Sequence, residues 1–310
     1  MAKNELQKVL TSKTAKIYKN KKLNNANFGN FNHTDYQVFL HLVTKIGGVD
    51  EFGKYLQPEQ LKREHVLTAK EFSQVFNTDI HNTYRLLNKA CRKLMKTDLT
   101  LPRNESPELW QINVCSMAKY NKKEGYITIE FTDRIMPYLS QVRQKFVLYN
   151  LKEIANFGSL YTTRLYELIQ EFKETGYMIK SVDKLREVFA VGEKFKAYKD
   201  FKRRTFDHAC KEINDHYKMN LGYEELKEKR KVVAIKFVFK KTRVHKVVNQ
   251  KTGIEKNLYI KPEAQTKKNK KRNKPNDSDI LEGQLSFTDV KKDLQPIQNV
   301  LPKVLNKMNP

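Results

Sequence analysis

The chain has 310 residues with 60 Lys or Arg against 35 Asp or Glu, which gives a formal net charge of +25 at pH 7. Such an excess of cations predicts a polyanionic partner, of which nucleic acid is the commonest. No apolar run approaches the roughly 20 residues that span a bilayer, and the N-terminal segment MAKNELQKVL lacks the apolar core of a secretion signal. We therefore expect no membrane partner.

Residues 1–30 are rich in Lys and Asn and show weak periodicity, so we expect a loosely held N-terminal arm with one short strand. The first helix is predicted over residues 33–46, because Val38, Leu42 and Ile46 fall along one face. The arm and this helix precede the two predicted helices that have one basic face.

The segment TAKEFSQVF (68–76) predicts a short helix that begins with a capping box, in which Thr68 is the N-cap and Glu71 lies three residues on. A longer basic helix is predicted from about Ile80 to Thr97. One face of this helix is apolar, and the opposite face is polar or basic. The apolar face comprises Leu87, Ala90, Cys91 and Leu94, and the candidate DNA-binding residues on the other face are Asn82, Arg85, Lys89 and Arg92.

Residues 109–117 and 126–132 alternate between apolar and polar residues like two paired strands. The turn between them contains Lys122 and Lys123, which we expect to be exposed and to contact DNA. Two helices followed by a β-hairpin is the element order of a winged helix-turn-helix, in which the second helix lies in the major groove. We therefore predict a first wing here.

The same order of elements occurs a second time. SVDKLREVF (181–189) repeats the short helix with Ser181 as its N-cap, and a second basic helix is expected over 199–216. The segments NKACRKL (88–94) and DHACKEI (207–213) align on their Ala-Cys pairs. Two copies of one DNA-reading unit narrow the function to nucleic-acid recognition.

Strands at 219–224 and 231–240 predict the second wing. The second copy holds six more residues than the first between equivalent positions, and Phe201 falls off its apolar stripe, an irregularity that the pattern does not explain. The candidate DNA-binding residues of the second copy are Lys199, Lys202, Arg203, Arg204, His208 and Lys211 on the helix and Lys227, Lys229 and Arg230 on the wing.

A helix that is apolar behind and basic in front can pack on a core and offer Arg and Lys to guanine edges and phosphates in the major groove. For one helix, a solvated surface explains the charges equally well. Two helices with matched faces, caps and wings favour DNA recognition.

The composition changes after Thr242. Residues 266–275 (TKKNKKRNKP) contain six basic and no hydrophobic residues, so we expect 243–310 to be mostly disordered. Within this tail, the string QLSF resembles peptides that dock on the bacterial sliding clamp, and a chance string is the alternative. The candidate partner-binding residues there are Gln284, Leu285 and Phe287.

Enzyme signatures are weak. GVDEFGKY (48–55) approaches a phosphate-binding loop, but Tyr55 stands where a small hydroxyl must hold magnesium. The seven histidines form no H-x-H pair, as a rolling-circle nickase would need, and the cysteines form no C-x-x-C pair, so we predict reduced core thiols rather than disulfides or zinc. We expect no catalysis, no metal and no cofactor.

Four segments together resemble the iteron-binding replication initiator (Rep) proteins of plasmids. They are SLYTTRLYELIQEF (159–172), SVDKLREVF (181–189), KDFKRRTFDHACKEIN (199–214) and RKVVAIKFVF (230–239). They cover nearly all of the second helix-turn-helix and its wing. The first half resembles the family in layout, and the tail lies outside the resemblance.

The resemblance implies an α+β fold with two tandem winged helix-turn-helix domains. On this basis the chain is divided into an N-terminal arm (1–30), a first winged-helix domain for dimerisation and DNA binding (31–135), a linker (136–150), a second winged-helix domain that gives the main DNA contact (151–242) and the tail (243–310). In the second domain that contact would lie on Lys202, Arg203, Arg204 and their neighbours.

The resemblance also implies a function. Family members bind direct repeats (iterons) at a plasmid origin as monomers, open AT-rich DNA nearby, draw in the host initiator and helicase, and repress their own gene as dimers on an inverted repeat. Such a protein would work in the bacterial cytoplasm. The rival is a winged-helix transcriptional regulator without a replication role; the fused duplicate argues against it, since many regulators reach two half-sites by pairing single modules.

Overall fold

The structure is a computed structural model that describes residues 15–29, 31–48, 56–101, 110–140 and 146–240, with the backbone of 244–248 and 255–259. The chain forms two compact units: Met1–Glu171 with Arg186–Tyr217, and Phe172–Leu185 with Lys218–Pro310.

The first unit opens with strand β1 (Lys16–Asn20), which pairs antiparallel with β7 (Phe146–Asn150). A one-turn helix, α1 (Lys21–Asn24), follows β1 directly. The predicted short strand of the arm is confirmed. The prediction that the arm is loosely held is wrong for its described part, because Ile17 and Leu23 are completely buried there.

Helix α2 (His33–Thr44) begins at a capping box, in which Asn32 and Asp35 exchange side-chain-to-backbone hydrogen bonds of 2.9 Å. Because apolar residues lie on all sides of it, the helix is buried over most of its length. The helix predicted at 33–46 is thus confirmed, two residues shorter than expected.

Strand β2 (Glu64–Thr68) leads into the first helix-turn-helix, formed by α3 (Ala69–Phe76) and α4 (Ile80–Met95). The predicted capping box is present, since the Thr68 hydroxyl accepts from the Glu71 N–H at 3.1 Å and the Glu71 carboxylate accepts from the Thr68 N–H at 2.8 Å. The predicted apolar face of α4 is buried throughout: Leu87, Ala90, Cys91 and Leu94. This face fixes which side of α4 remains open to solvent.

The first wing consists of β5 (Cys115–Asn121) and β6 (Tyr126–Phe131), which form a three-stranded sheet in the order β2-β6-β5. The segment predicted as one strand at 109–117 is divided, because β4 (Gln111–Asn113) pairs instead with β3 (Asp98–Thr100) and β5 starts with an irregularity between Cys115 and Met117. The wing therefore begins six residues later than predicted.

Between the wing and the second helix-turn-helix, the described residues form three helices: α5 (Met136–Leu139), α6 (Leu151–Ile154) and α7 (Leu160–Glu171). Helix α7 is buried along most of its length. The short helix α8 (Val182–Val188) then begins at Ser181, whose hydroxyl accepts from the Lys184 N–H at 3.1 Å, as predicted for its N-cap.

The second basic helix runs from Tyr198 to His216. It comprises α9 (Tyr198–Lys202), a π-helical segment (Arg203–Asp207) and α10 (His208–His216). Phe201 and Phe206 lie five positions apart, which would put them on different sides of an α-helix, yet both are completely buried with ring centroids 5.7 Å apart. The π segment, with its i→i+5 hydrogen bonds, brings both rings to the inner face.

This segment explains the irregularity of the second copy. Ala90 lies ten positions after Ile80, the first residue of α4, whereas Ala209 lies eleven positions after Tyr198. The π segment accommodates the one extra helical residue without rotating the basic face. The other five extra residues lie in the longer turn before the second basic helix.

In the second unit, β8 (Tyr177–Ser181), β9 (Gly222–Glu228) and β10 (Lys231–Val238) form a sheet in the order β8-β10-β9. The hairpin β9–β10 is the second wing. Its first strand was predicted at 219–224 but lies further along the chain, so the turn is only two residues long and Lys227 belongs to the strand rather than to the tip. Lys229 adopts a positive φ of 53°, as two-residue hairpin turns require.

Two further strands, β11 (Val244–Val248) and β12 (Glu255–Tyr259), pair antiparallel in the segment expected to be mostly disordered. The rest of that tail, with Gln284, Leu285 and Phe287, lies outside the described residues, as does Tyr55. Within the described ranges, no helix is long and apolar enough to cross a membrane.

Candidate nucleic-acid interface

The first basic helix, α4, presents its predicted polar face to solvent. Asp79 caps its N-terminus by accepting from the Asn82 N–H at 2.9 Å, and Lys93 forms an ion pair of 2.8 Å with the buried Asp35 of α2. The cap closes the N-terminal end of the helix, and the ion pair holds its C-terminal end against α2. The residues exposed on its outer face are Asn82, Arg85, Lys89 and Arg92.

The first wing is fixed to α4 through Gly125. This residue adopts a φ of +66°, and a Cβ at this position would lie 2.1 Å from Cε1 of Tyr84. The Gly125 carbonyl also accepts from the N–H of Ala69, the first residue of α3, at 2.8 Å. One glycine therefore joins the wing to both helices of the first helix-turn-helix, a role that its sequence context did not indicate.

The tip of the first wing carries the two predicted lysines, Lys122 and Lys123, and both are exposed. The Asn121 side chain accepts from the N–H groups of Lys123 and Glu124 at 3.0 and 3.1 Å. This local turn orders the backbone at the tip. The structure thus brings a basic wing tip to the same unit as the basic face of α4.

The second basic helix is exposed at five of its six predicted positions: Lys199, Arg203, Arg204, His208 and Lys211. Lys202 is the exception, because its side chain is half-buried. Arg203 pairs with Asp200 at 2.9 Å on the helix surface. An open groove of about 620 Å³ runs beside this helix; Ser159, Tyr161, Phe195, Arg203, Arg204 and His208 line it.

Arg186 holds the turn that precedes this helix. Its guanidinium donates to the carbonyls of Phe195 and Lys196 at 2.7 and 3.1 Å and lies 4.4 Å from the centroid of the buried Phe201 ring. Phe195 adopts a positive φ of 56° within the turn. Arg186 thereby fixes where the basic helix begins. The sequence did not predict this role, because Arg186 is one of several charged residues in SVDKLREVF.

The second wing exposes the three predicted cations Lys227, Lys229 and Arg230. Lys227 lies 3.9 Å from Glu225 on the same strand, a distance that leaves its ammonium largely hydrated. The wing surface is therefore suited to contacts with phosphates, which position a protein on DNA without reading its sequence.

A buried cluster of charged and phenolic groups lies behind α7. The Glu167 carboxylate accepts from Arg164 at 2.7 Å, from the Tyr36 hydroxyl at 2.6 Å, and from Lys19 and Tyr149. All five residues are almost completely buried. These residues connect β1, α2, β7 and α7. No pattern in the sequence predicted this cluster.

Burial lowers the pKa of the Lys19 amine to about 7. The Glu167 carboxylate opposes this shift by attracting the charged amine. Arg164 binds the same carboxylate, and its positive charge lowers the pKa of Lys19 further. The pKa of Glu167 is lowered, because the two cations and the donated hydrogen bonds outweigh its own burial.

The three cysteines are buried with free thiols, as predicted. Burial raises the pKa of Cys115 and Cys210 to about 12, which makes them poor nucleophiles at neutral pH. Across the ranges that the structure describes, no cluster of His, Cys, Asp or Glu could hold a metal ion.

Two helix-turn-helix units, each followed by a β-hairpin, define the class of proteins with two winged-helix domains. Residues 16–170 match the family described as "Initiator Replication protein, WH1", and residues 181–239 match "Initiator Rep protein, WH2". The chain therefore belongs to the initiator replication protein family. The resemblance seen in the sequence and the predicted fold are both confirmed.

Two relatives from Escherichia coli are similar in sequence. The "PI protein" is 31% identical over 162 residues, which cover 46% of this chain and 53% of that protein. The "Replication initiation protein" is 25% identical over 171 residues, which cover 53% of this chain and 52% of that protein. The chain thus spans about half the length of the curated relatives it matches.

The fold is similar to that in "Crystal structure of Pi initiator protein in complex with iteron DNA", with a TM-score of 0.59 and 22% sequence identity. The alignment covers 74% of this chain and 98% of that chain. At this level of identity the likeness shows a common fold.

Proposed function

We propose that this protein initiates plasmid replication by binding direct repeats in double-stranded DNA at the origin. The observation that carries the proposal is the second basic helix, whose apolar side is buried while Arg203, Arg204 and His208 line an open groove. Membership of the initiator family supports the proposal, and so does the iteron DNA bound to the solved Pi initiator protein.

Arginines on the two basic helices would read bases, because a guanidinium donates two parallel hydrogen bonds to the major-groove edge of guanine. The candidates are Arg85 on α4 and Arg204 on the second basic helix. The lysines of the wings would contact phosphates, which position the protein but carry no sequence information. Affinity should fall steeply with salt, as counterions released from DNA contribute much of it.

We propose the following domain boundaries: the first winged-helix domain over 31–135, a linker over 136–150 and the second winged-helix domain over 151–242.

We further propose that the protein represses its own gene as a homodimer on an inverted repeat, in equilibrium with a monomer that binds the direct repeats. Host initiator and helicase would be recruited there, and the QLSF segment would bind the sliding clamp. The protein would act in the bacterial cytoplasm without catalysis or a cofactor.

Footprinting on DNA that flanks the protein's own gene tests the central claim. We expect protected segments that recur in phase, each spanning two successive major grooves, or about 20 base pairs, beside an AT-rich stretch. Protection of one inverted repeat alone would favour a transcriptional regulator. Nicking or nucleotide hydrolysis by the purified protein would instead contradict the non-enzymatic part of the proposal.

A further inference from the structure

Glu212 is an acidic residue of the second basic helix whose carboxylate points toward the start of α7. One of its carboxylate oxygens accepts from the Gly158 N–H at 2.6 Å, and the other accepts from the Thr162 hydroxyl at 2.5 Å. The second oxygen also lies 3.8 Å from Nδ1 of His208, one turn earlier on the helix. Only 17% of the Glu212 side chain is exposed.

The two donors to Glu212 lie at the start of α7: Gly158 is two residues before its first residue, and Thr162 is in its first turn. A helix N-terminus carries partial positive charge and free N–H groups, which suit it to bind anions such as phosphate. Gly158 and Ser159, at this end of α7, line the same groove as Arg203 and Arg204. Without Glu212, the Gly158 N–H would therefore lose its acceptor at the edge of the groove, beside two guanidinium groups.

The influence of Glu212 extends to the start of α2. Burial lowers the pKa of the His33 imidazole, and the nearby Glu212 carboxylate opposes that shift. The carboxylate thus interacts with three helices of the first unit: its own, α7 and α2. An ion so placed holds the basic helix against the start of α7 and adds a negative charge beside the groove.

From this geometry we propose that Glu212 is a specificity-determining residue. It occupies the anion-binding end of α7, so that phosphates of random DNA gain no sequence-independent contact there. The inference rests on the proposed DNA-binding function. In the complex with the correct repeat, base contacts fix the register of the DNA on the protein, so its phosphates cannot shift toward the start of α7. Random DNA can shift in this way. A change of charge at Glu212 therefore affects the affinity for the correct repeat less than the affinity for random DNA.

The variant Glu212→Gln tests this inference. Its amide oxygen can still accept from the Gly158 N–H, so the fold is retained while the negative charge is lost. We expect affinity for random duplex DNA to rise about three- to tenfold at low salt, while affinity for the protein's own repeat changes about twofold or less. The preference for the repeat should fall accordingly, as measured by fluorescence anisotropy on both DNAs.

Two matched variants separate the alternatives. Asp215→Asn makes the same change of charge at an exposed position of the same helix and should leave the preference unchanged. Glu212→Asp keeps the charge and should restore most of the preference, even if the Gln variant folds poorly. An equal loss of preference in Asp215→Asn, or none in Glu212→Gln, would overturn the inference.

The wild-type protein is measured first. If it shows no preference for any DNA, in footprinting or after selection from random sequences, then the proposed function fails. If it prefers a repeat and the Gln variant keeps that preference, then only the role of Glu212 fails.

Discussion

Gly125 lies directly against the ring of Tyr84, so that the first wing and the first basic helix meet where no side chain can be added. The contact lies close to surfaces that we propose for DNA binding, since Arg85 follows Tyr84 and Lys123 is two residues before Gly125. This contact is therefore one of those that set how the wing packs on the helix.

Gly125→Ala should destabilise the protein by roughly 1–3 kcal/mol for the left-handed backbone, and further because Tyr84 must move. Gly47→Ala is the matched control, since Gly47 also has a positive φ, of +74°, but nothing lies within 4 Å of its added Cβ. Chemical denaturation of both variants measures the difference. Equal losses would show that the contact with Tyr84 contributes nothing.

Arg204→Ala should cost about 1–3 kcal/mol of binding free energy on the correct repeat and should reduce the preference over random DNA. The reason is that a base-reading arginine contributes more to the specific complex. Lys152→Ala, which removes an exposed charge outside both basic helices, serves as the control. Equal losses on repeat and random DNA would assign Arg204 to the phosphates instead.

Replacing the wing lysines should weaken binding to all sequences alike. In Lys122→Ala/Lys123→Ala, the slope of log affinity against log salt should become shallower by about 0.9 for each phosphate that the protein no longer neutralises. Lys227→Ala/Lys229→Ala tests the second wing in the same way. A wing whose double variant keeps the wild-type slope makes no phosphate contact.

The low pKa of Lys19 should make stability depend on pH. Between the folded pKa of about 7 and the usual value of 10.5, the unfolded chain holds a proton that the folded protein lacks, so stability rises with pH. From pH 7 to about 8, before the thiols of the unfolded chain reach their usual pKa of about 8.5, the free energy of unfolding should increase by about 0.5–1 kcal/mol.

Lys19→Met should abolish this increase, because the group that titrates is gone. Lys45→Met removes a lysine that pairs with Glu71 at a less buried site and should retain it. Urea denaturation at several pH values provides the measurement. An identical pH dependence in wild type and Lys19→Met would place the titration elsewhere.

Local signals in the sequence predicted much of this structure. The capping box at Thr68 and Glu71, the Ser181 cap and the two apolar helix faces depend on neighbours within a turn or two, and all are present. The charged faces followed from the same periodicity. The DNA contacts assigned to those faces stay predictions.

Features that depend on distant parts of the chain were missed. Glu167 meets Lys19 across 148 positions, and no pattern in either segment reveals the pairing. The only sign of the π segment in the sequence was that Phe201 falls off the apolar stripe. Packing of the Phe201 ring in the folded protein decides where the extra residue is accommodated. Gly125 appeared in the sequence as a turn residue, and its contact with Tyr84 requires the folded sheet.

The separation between Lys19 and Glu167 also bears on synthesis. At the usual elongation rate of about 5–20 residues per second, β1 leaves the ribosome roughly 7–30 seconds before the helix that neutralises its lysine. For most of that interval the first strand also lacks β7, its pairing partner. Pulse proteolysis of stalled nascent chains should find residues 15–24 cleavable until α7 has emerged, and early protection would show that another partner shelters them.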